Sequence, residues 1–226
     1  MKTRITMFIA LLMISLFVTP NCALAQGSTK TKSSVKTKGK KIKLFNGKDL
    51  SNWEFFLRKP SVDPATIFTV QKGLIHMYSN PWGYMRTKDS YSDYKLHVEW
   101  RWPEVATNSG VFVHYTPRDD KSYKWIECNL VAGGAGDFIC ERGVDMDERI
   151  DKKSPFVKKM GESSEKQVGE WNTMEVVCSG NTIEVYVNDV LQNKATNINI
   201  NEGSICLQCE GKDIEFRNVY IREIKK

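Results

Sequence analysis

Apolar and polar side chains alternate along much of this chain. In the clearest run, Tyr94, Leu96, Val98, Trp100 and Trp102 fall on one side while Lys95, His97, Glu99 and Arg101 fall on the other. That period of two belongs to a strand with one buried face. Similar runs occupy 68–70, 74–78, 111–115, 125–130, 174–178, 183–187, 204–208 and 214–221. Ser179-Gly180-Asn181-Thr182 separates two of them with hairpin chemistry, and Asn188-Asp189 marks the next turn. Helical periodicity is scarce and no βαβ rhythm or internal repeat is present. The pattern predicts an all-β domain, a two-sheet jelly-roll β-sandwich.

One stretch breaks the alternation. From Gly133 to about Lys166 the chain is rich in glycine and charge, with Asp147-Glu148-Arg149, Lys152-Lys153 and a proline at 155. A partly ordered loop over one mouth of the sandwich is expected there. Gly133-Gly134-Ala135-Gly136 lacks the Lys-Ser/Thr of a phosphate-binding loop. With no strand-Gly-x-Gly-x-x-Gly-helix unit, no nicotinamide cofactor is expected.

The first 25 residues combine a basic start, an apolar run from Ile5 to Val18 and a closing Ala23-Leu24-Ala25. This is the pattern of a secretory signal peptide, with the mature chain beginning near Gln26. Lipid attachment at Cys22 is the alternative, disfavoured because Thr19-Pro20-Asn21 is a poor lipobox. A periplasmic or secreted protein is expected. No later run approaches the ~20 apolar residues of a membrane span.

The leader changes the meaning of the net charge of +6. Lys2 and Arg4 leave with it, and residues 28–43 hold seven lysines and no acid. The domain from Leu44 onward keeps 24 basic against 27 acidic side chains, net −3. Residues 26–43 read as a Lys/Ser/Thr-rich linker and 44–226 as one domain. An acidic exported domain argues against nucleic acid as partner. Five cysteines remain after Cys22, an odd number, so at least one thiol is unpaired. Cys206 and Cys209 are three apart, which in a strand puts them on opposite faces.

The chemistry concentrates in residues 108–138. If Val111, Val113 and Tyr115 share the core face of one strand, Phe112 and His114 share the other. On the next strand Ile126, Cys128 and Leu130 face the core, leaving Trp125, Glu127 and Asn129 opposite. Aromatic rings with a few polar groups on an outer sheet surface are what a carbohydrate groove needs.

Several motifs in order carry a resemblance: Leu44-Phe45-Asn46-Gly47-Lys48-Asp49-Leu50-Ser51-Asn52-Trp53, Gly83-Tyr84-Met85-Arg86-Thr87, Asn108-Ser109-Gly110-Val111-Phe112, Ile126-Glu127-Cys128-Asn129, Gly136-Asp137-Phe138, Gly169-Glu170-Trp171-Asn172-Thr173 and Glu215-Phe216-Arg217-Asn218-Val219. From about Leu44 to Glu223 the chain resembles the 3-keto-disaccharide hydrolase domain family. That likeness implies a concanavalin-like sandwich and cleavage of glycosides already oxidised to a ketone at carbon 3. The ketone acidifies the hydrogen on carbon 2, so a base can remove it and the aglycone on carbon 1 can leave. Water then adds back, so hydrolase and lyase outcomes are close relatives.

The resemblance implies His114, Glu127 and Asp137 as catalytic candidates, and Arg86 and Asn108 as substrate-binding residues beside Phe112, Trp125 and Asn129. Asn129 departs from the glutamine that relatives often carry. His114, Glu127 and Asp137 could also supply mixed nitrogen and oxygen ligands to a divalent metal, although their spacing matches no fixed signature. Trp53 and Trp171 occupy motif positions yet read as sandwich core. The expected partner is a saccharide or glycoside. Two other readings stay open: a two-carboxylate glycosidase, and a carbohydrate-binding module using the same rings without turnover.

Overall fold

The computed structural model describes residues 39–117 and 123–225. The leader, Cys22 and most of the linker lie outside the described residues. Fifteen strands follow in order: β1 (Lys41–Lys43), β2 (Trp53–Leu57), β3 (Phe68–Gln71), β4 (Leu74–Met77), β5 (Gly83–Thr87), β6 (Tyr94–Arg101), β7 (Gly110–Pro117), β8 (Tyr123–Asn129), β9 (Phe138–Glu141), β10 (Phe156–Val157), β11 (Asn172–Ser179), β12 (Thr182–Val187), β13 (Val190–Ala195), β14 (Ser204–Cys209) and β15 (Ile214–Glu223). A 3₁₀ turn at Pro64–Thr66 is the single helical element among the described residues.

The strands form two antiparallel sheets. The first runs β13-β12-β11-β6-β15-β4-β3, with β1 also paired to β15; the second runs β10-β9-β8-β7-β14-β5-β2. This is the jelly-roll sandwich that the alternation predicts. Lys41–Lys43 pair with β15, so these residues are strand rather than linker.

β6 shows why the pattern works. Tyr94, Leu96, Val98 and Trp100 are buried between the sheets, and the residues between them face out. The outward side chains pair across strands: Glu99 with Arg217 at 2.7 Å, His97 with Glu175 at 3.7 Å, and Lys95 with Glu175 at 2.6 Å. Trp53 joins the core as expected. Trp171 does not, because it lies on the outer face between two guanidiniums, Arg101 at 4.8 Å and Arg217 at 3.9 Å from its ring.

The region 133–166 is more regular than its composition suggests. Phe138 and Cys140 turn into the core and make β9, which with β10 extends the second sheet at its edge. Its glycine and charge signals belong to the connections. The two turns hold: Ser179 pairs with Thr182 around Gly180, and Asn188 and Asp189 adopt φ of 50° and 67° between Val187 and Val190. All five described cysteines are buried and unpaired. Cys206 and Cys209 face opposite sides, the latter within the main core.

The second sheet buries apolar side chains on both faces. Its inner side carries Met85, Val111, Val113, Ile126, Cys128, Ile205 and Leu207. Its outer side carries a separate cluster of Tyr84, Phe112, Tyr115 and Cys206, against which Trp82, Tyr123 and Trp125 pack. An antiparallel sheet usually leaves one face to water. An aromatic layer on that face therefore marks where a site is to be sought.

Candidate active site

Register places the outer side chains of the second sheet in rows. One row runs Glu127, Phe112, Cys206, Arg86, Glu54 from β8 to β2; the next runs Asn129, Gly110, Gln208, Tyr84, Phe56. Glu127 bridges the two rows. A Cβ added to Gly110 would lie 2.5 Å from Oε1 of Glu127 and 2.8 Å from its Cγ and Cδ, so the carboxylate lies over the bare backbone of that glycine. β7 therefore needs glycine at this point to give the side chain a slot.

Within the slot Glu127 is only 6% exposed and makes no hydrogen bond or ion pair with any described residue. Neither carboxylate oxygen is among the fully enclosed polar atoms, so the group is desolvated yet reachable. Burial, and then the like charges of Glu210 and Glu141, push its pKa up to about 8. Unpartnered enclosed atoms accompany it: Oε1 of Gln208, Oδ1 of Asn108 and Nε1 of Trp125. Such atoms call for water or ligand groups to complete them.

The rings come in two layers. Phe112 is fully buried beneath Trp125, their centroids 5.2 Å apart, and Tyr115 lies beneath Tyr123 at 4.9 Å. Phe112 thus supports Trp125 and does not itself line an open surface, which corrects its reading as a substrate contact. The half-buried Trp125, Trp82 and Tyr123 are the rings a ligand would meet. Tyr84 and Tyr115 join through their hydroxyls. Arg86 shares the outer face with Glu127, but its Nε and Nη2 donate to Oε2 of Glu54 at 2.8 and 2.6 Å.

His114 is displaced from this face. β7 carries a bulge between Val113 and Thr116, and His114 takes φ 54° there. The extra residue reverses the alternation. Tyr115, not His114, joins the outer cluster, while the imidazole lies 6.1 Å from the ring of the core residue Tyr94. Desolvation lowers its pKa to about 4, so it is neutral at pH 7.

Asp137 serves the edge of the sheet. Its Oδ2 accepts from Nζ of Lys158 at 2.8 Å and its Oδ1 from the amide of Lys159 at 2.8 Å, fastening the segment after β10. Asn129 likewise turns its Oδ1 onto the amide of Val131 at 2.8 Å. Asp137→Ala is expected to destabilise the fold by about 1–3 kcal/mol, since it removes both bonds that fasten the segment after β10. Turnover per folded molecule is expected to stay within a few-fold of wild type, measured by thermal melting alongside activity. With His114 toward the core and Asp137 committed to lysines, these residues and Glu127 form no joint metal site. No group of three or more His, Cys, Asp or Glu among the described residues could hold an ion.

The profile of the 3-keto-alpha-glucoside-1,2-lyase-like domain matches residues 40–222. The chain belongs to that family. No curated protein matches the sequence. Among solved structures, this 3-keto-alpha-glucoside-1,2-lyase-like domain is similar to a protein of Parabacteroides distasonis provisionally assigned to the glycosyl hydrolases (21% identity, TM-score 0.58, 83% of this chain and 94% of that one). It is also similar to the Bacillus licheniformis β-glucanase (14%, 0.54, 84% and 100%) and to the carbohydrate-binding module CBM66 of Bacillus subtilis (13%, 0.52, 74% and 93%). These likenesses show a jelly-roll sandwich fold of the glucanase type. Glu210 and Glu141, whose charges act on Glu127, and Gln208 with its unpartnered Oε1 are further candidate residues of this face that the sequence reading does not name. Cys206, Gln208 and Glu210 alternate outward from β14, a signal hidden behind the Cys-x-x-Cys spacing.

Proposed function

We propose that this domain cleaves the glycosidic bond of 3-keto-glycosides, with Glu127 as the base that takes the proton from carbon 2. One observation carries the reading: a carboxylate without a partner among the described residues, desolvated but reachable, seated in a glycine slot beside sugar-sized ring surfaces. A carboxylate whose pKa is raised toward 8 abstracts a carbon-bound proton better than one near 4.5. The electron pair of the C2–H bond moves toward the ketone and then forms the C1–C2 double bond as the C1–O bond breaks. The departing oxygen takes up one proton, returned by Glu127 or by water, so the products are an enone sugar and the free aglycone. Addition of water across the double bond would complete a net hydrolysis. The leader pattern at 1–25 supports export, so the substrate would be met in the periplasm or outside the cell.

The test is aglycone release by the purified protein from a 3-keto-glucoside and from its unoxidised parent. Release from the keto-sugar alone is expected. Release from the parent would instead indicate a two-carboxylate glycosidase, and sugar binding without release a binding module. The pH dependence has a definite sign: only the ionised base works, so kcat/KM should rise with pH, reach half its maximum at about 8 and level off above. A profile falling through that range would make Glu127 an acid.

A further inference from the structure

We infer that the aglycone side of this site is the aromatic corner formed by Phe56, Trp82 and Arg58, and that it selects glycosides whose leaving group is an aromatic ring. This rests on the reading of Glu127 given above and adds the class of leaving group. Phe56 belongs to the row that runs through Tyr84 and Gln208 to Gly110, on the same outer face as Glu127. Its ring stacks on Tyr84 with centroids 5.0 Å apart and meets the edge of Trp82 at 6.2 Å. Phe56 is nevertheless 47% exposed, so much of its ring stays open to a ligand. The guanidinium of Arg58 covers the far side of the corner, 4.9 Å from the ring of Trp82. From Gly110 to Tyr84 is two strand spacings, roughly 10 Å, room for one sugar at Glu127 and one further ring beyond it.

Most polar atoms around the corner already have partners, only the Arg58 guanidinium and Oε1 of Gln208 being open among the described residues, and this favours an aromatic ring over a second sugar. Nε1 of Trp82 donates to Oε2 of Glu210 at 3.1 Å, the hydroxyl of Tyr84 is joined to that of Tyr115, and Arg86 is paired with Glu54. A second sugar would have to desolvate several hydroxyls with only the Arg58 guanidinium and Oε1 of Gln208 open to receive them. An aromatic aglycone asks only for ring faces, which Phe56 and Trp82 supply in stacked and edge-on geometry.

The experiment compares kcat/KM for phenyl and methyl 3-keto-glucosides in the full-length protein and in Phe56→Ala and Phe56→Trp. Taking the phenyl-to-methyl ratio within each protein and comparing proteins cancels the intrinsic difference between the leaving groups. Phe56→Ala is expected to lower that ratio up to about tenfold, and Phe56→Trp to keep or raise it. A ratio equal to wild type's in Phe56→Ala would overturn the assignment. Failure of the wild type to cleave either keto-sugar would instead refute the reaction itself and this inference with it, so the two failures are told apart.

Discussion

Glu127→Gln is expected to abolish turnover on 3-keto-glycosides and, at the same time, to make the protein more stable. The amide matches the carboxyl in size but takes up no proton, so the loss should reach about 10³-fold or more, in the range of a removed catalytic base. The stability effect follows from the raised pKa. A carboxyl that ionises near 4.5 when unfolded and at about 8 when folded favours the folded state at low pH, and that favour is lost as pH rises through about 8. At pH 7 the folded protein keeps Glu127 largely protonated where the unfolded chain would ionise it, a penalty on the order of 3 kcal/mol. Gln carries no such penalty. Melting temperature should therefore rise by several degrees at pH 7 and hardly at all at pH 4.5. Differential scanning calorimetry at both pH values, beside a turnover assay, checks this. Loss of stability at pH 7 would mean the carboxylate is partnered and structural.

The second large effect is expected from Gly110→Ala. The added methyl would stand 2.5 Å from Oε1 of Glu127, so the side chain must leave its slot. The glycine is outside the left-handed region that only glycine tolerates well, so the backbone accepts alanine without strain. The three nearest obstacles, Oε1, Cδ and Cγ of Glu127, are all side-chain atoms, so the fold can adjust. Turnover should fall about 10²-fold, as expected for a misplaced catalytic group, while melting temperature shifts by only a few degrees. Equal turnover in the two proteins would show that the slot does not position the carboxylate.

The sandwich was legible because strict alternation in β6, β11, β12 and β15 reports directly on which side chains are buried. The outward position of Glu127 was legible for the same reason, as the polar member of an alternating strand between Ile126 and Cys128. His114 was misread because counting by twos assumes an unbroken strand, and one bulge residue moved the imidazole to the core and Tyr115 to the outer face. Phe112 was placed on the correct face, but no pattern in one strand tells that Trp125 will lie over it. Asp137 carries a motif, yet its use depends on Lys158 and Lys159, about twenty residues away in sequence and beside it only once β9 and β10 pair. Glu210 was within reach of the alternation along β14, which Cys206 and Cys209 obscured.

The reaction assigned to Glu127 makes the C2–H bond the one that breaks. A 3-keto-glucoside labelled with deuterium at carbon 2, followed by mass spectrometry with an enzyme-free control, tests this most directly. Aglycone release should be accompanied by loss of the label to water in the wild type, with both processes lost together in Glu127→Gln. Release of the aglycone with deuterium retained at carbon 2 would mean that the bond at carbon 1 is displaced directly, and would contradict proton abstraction.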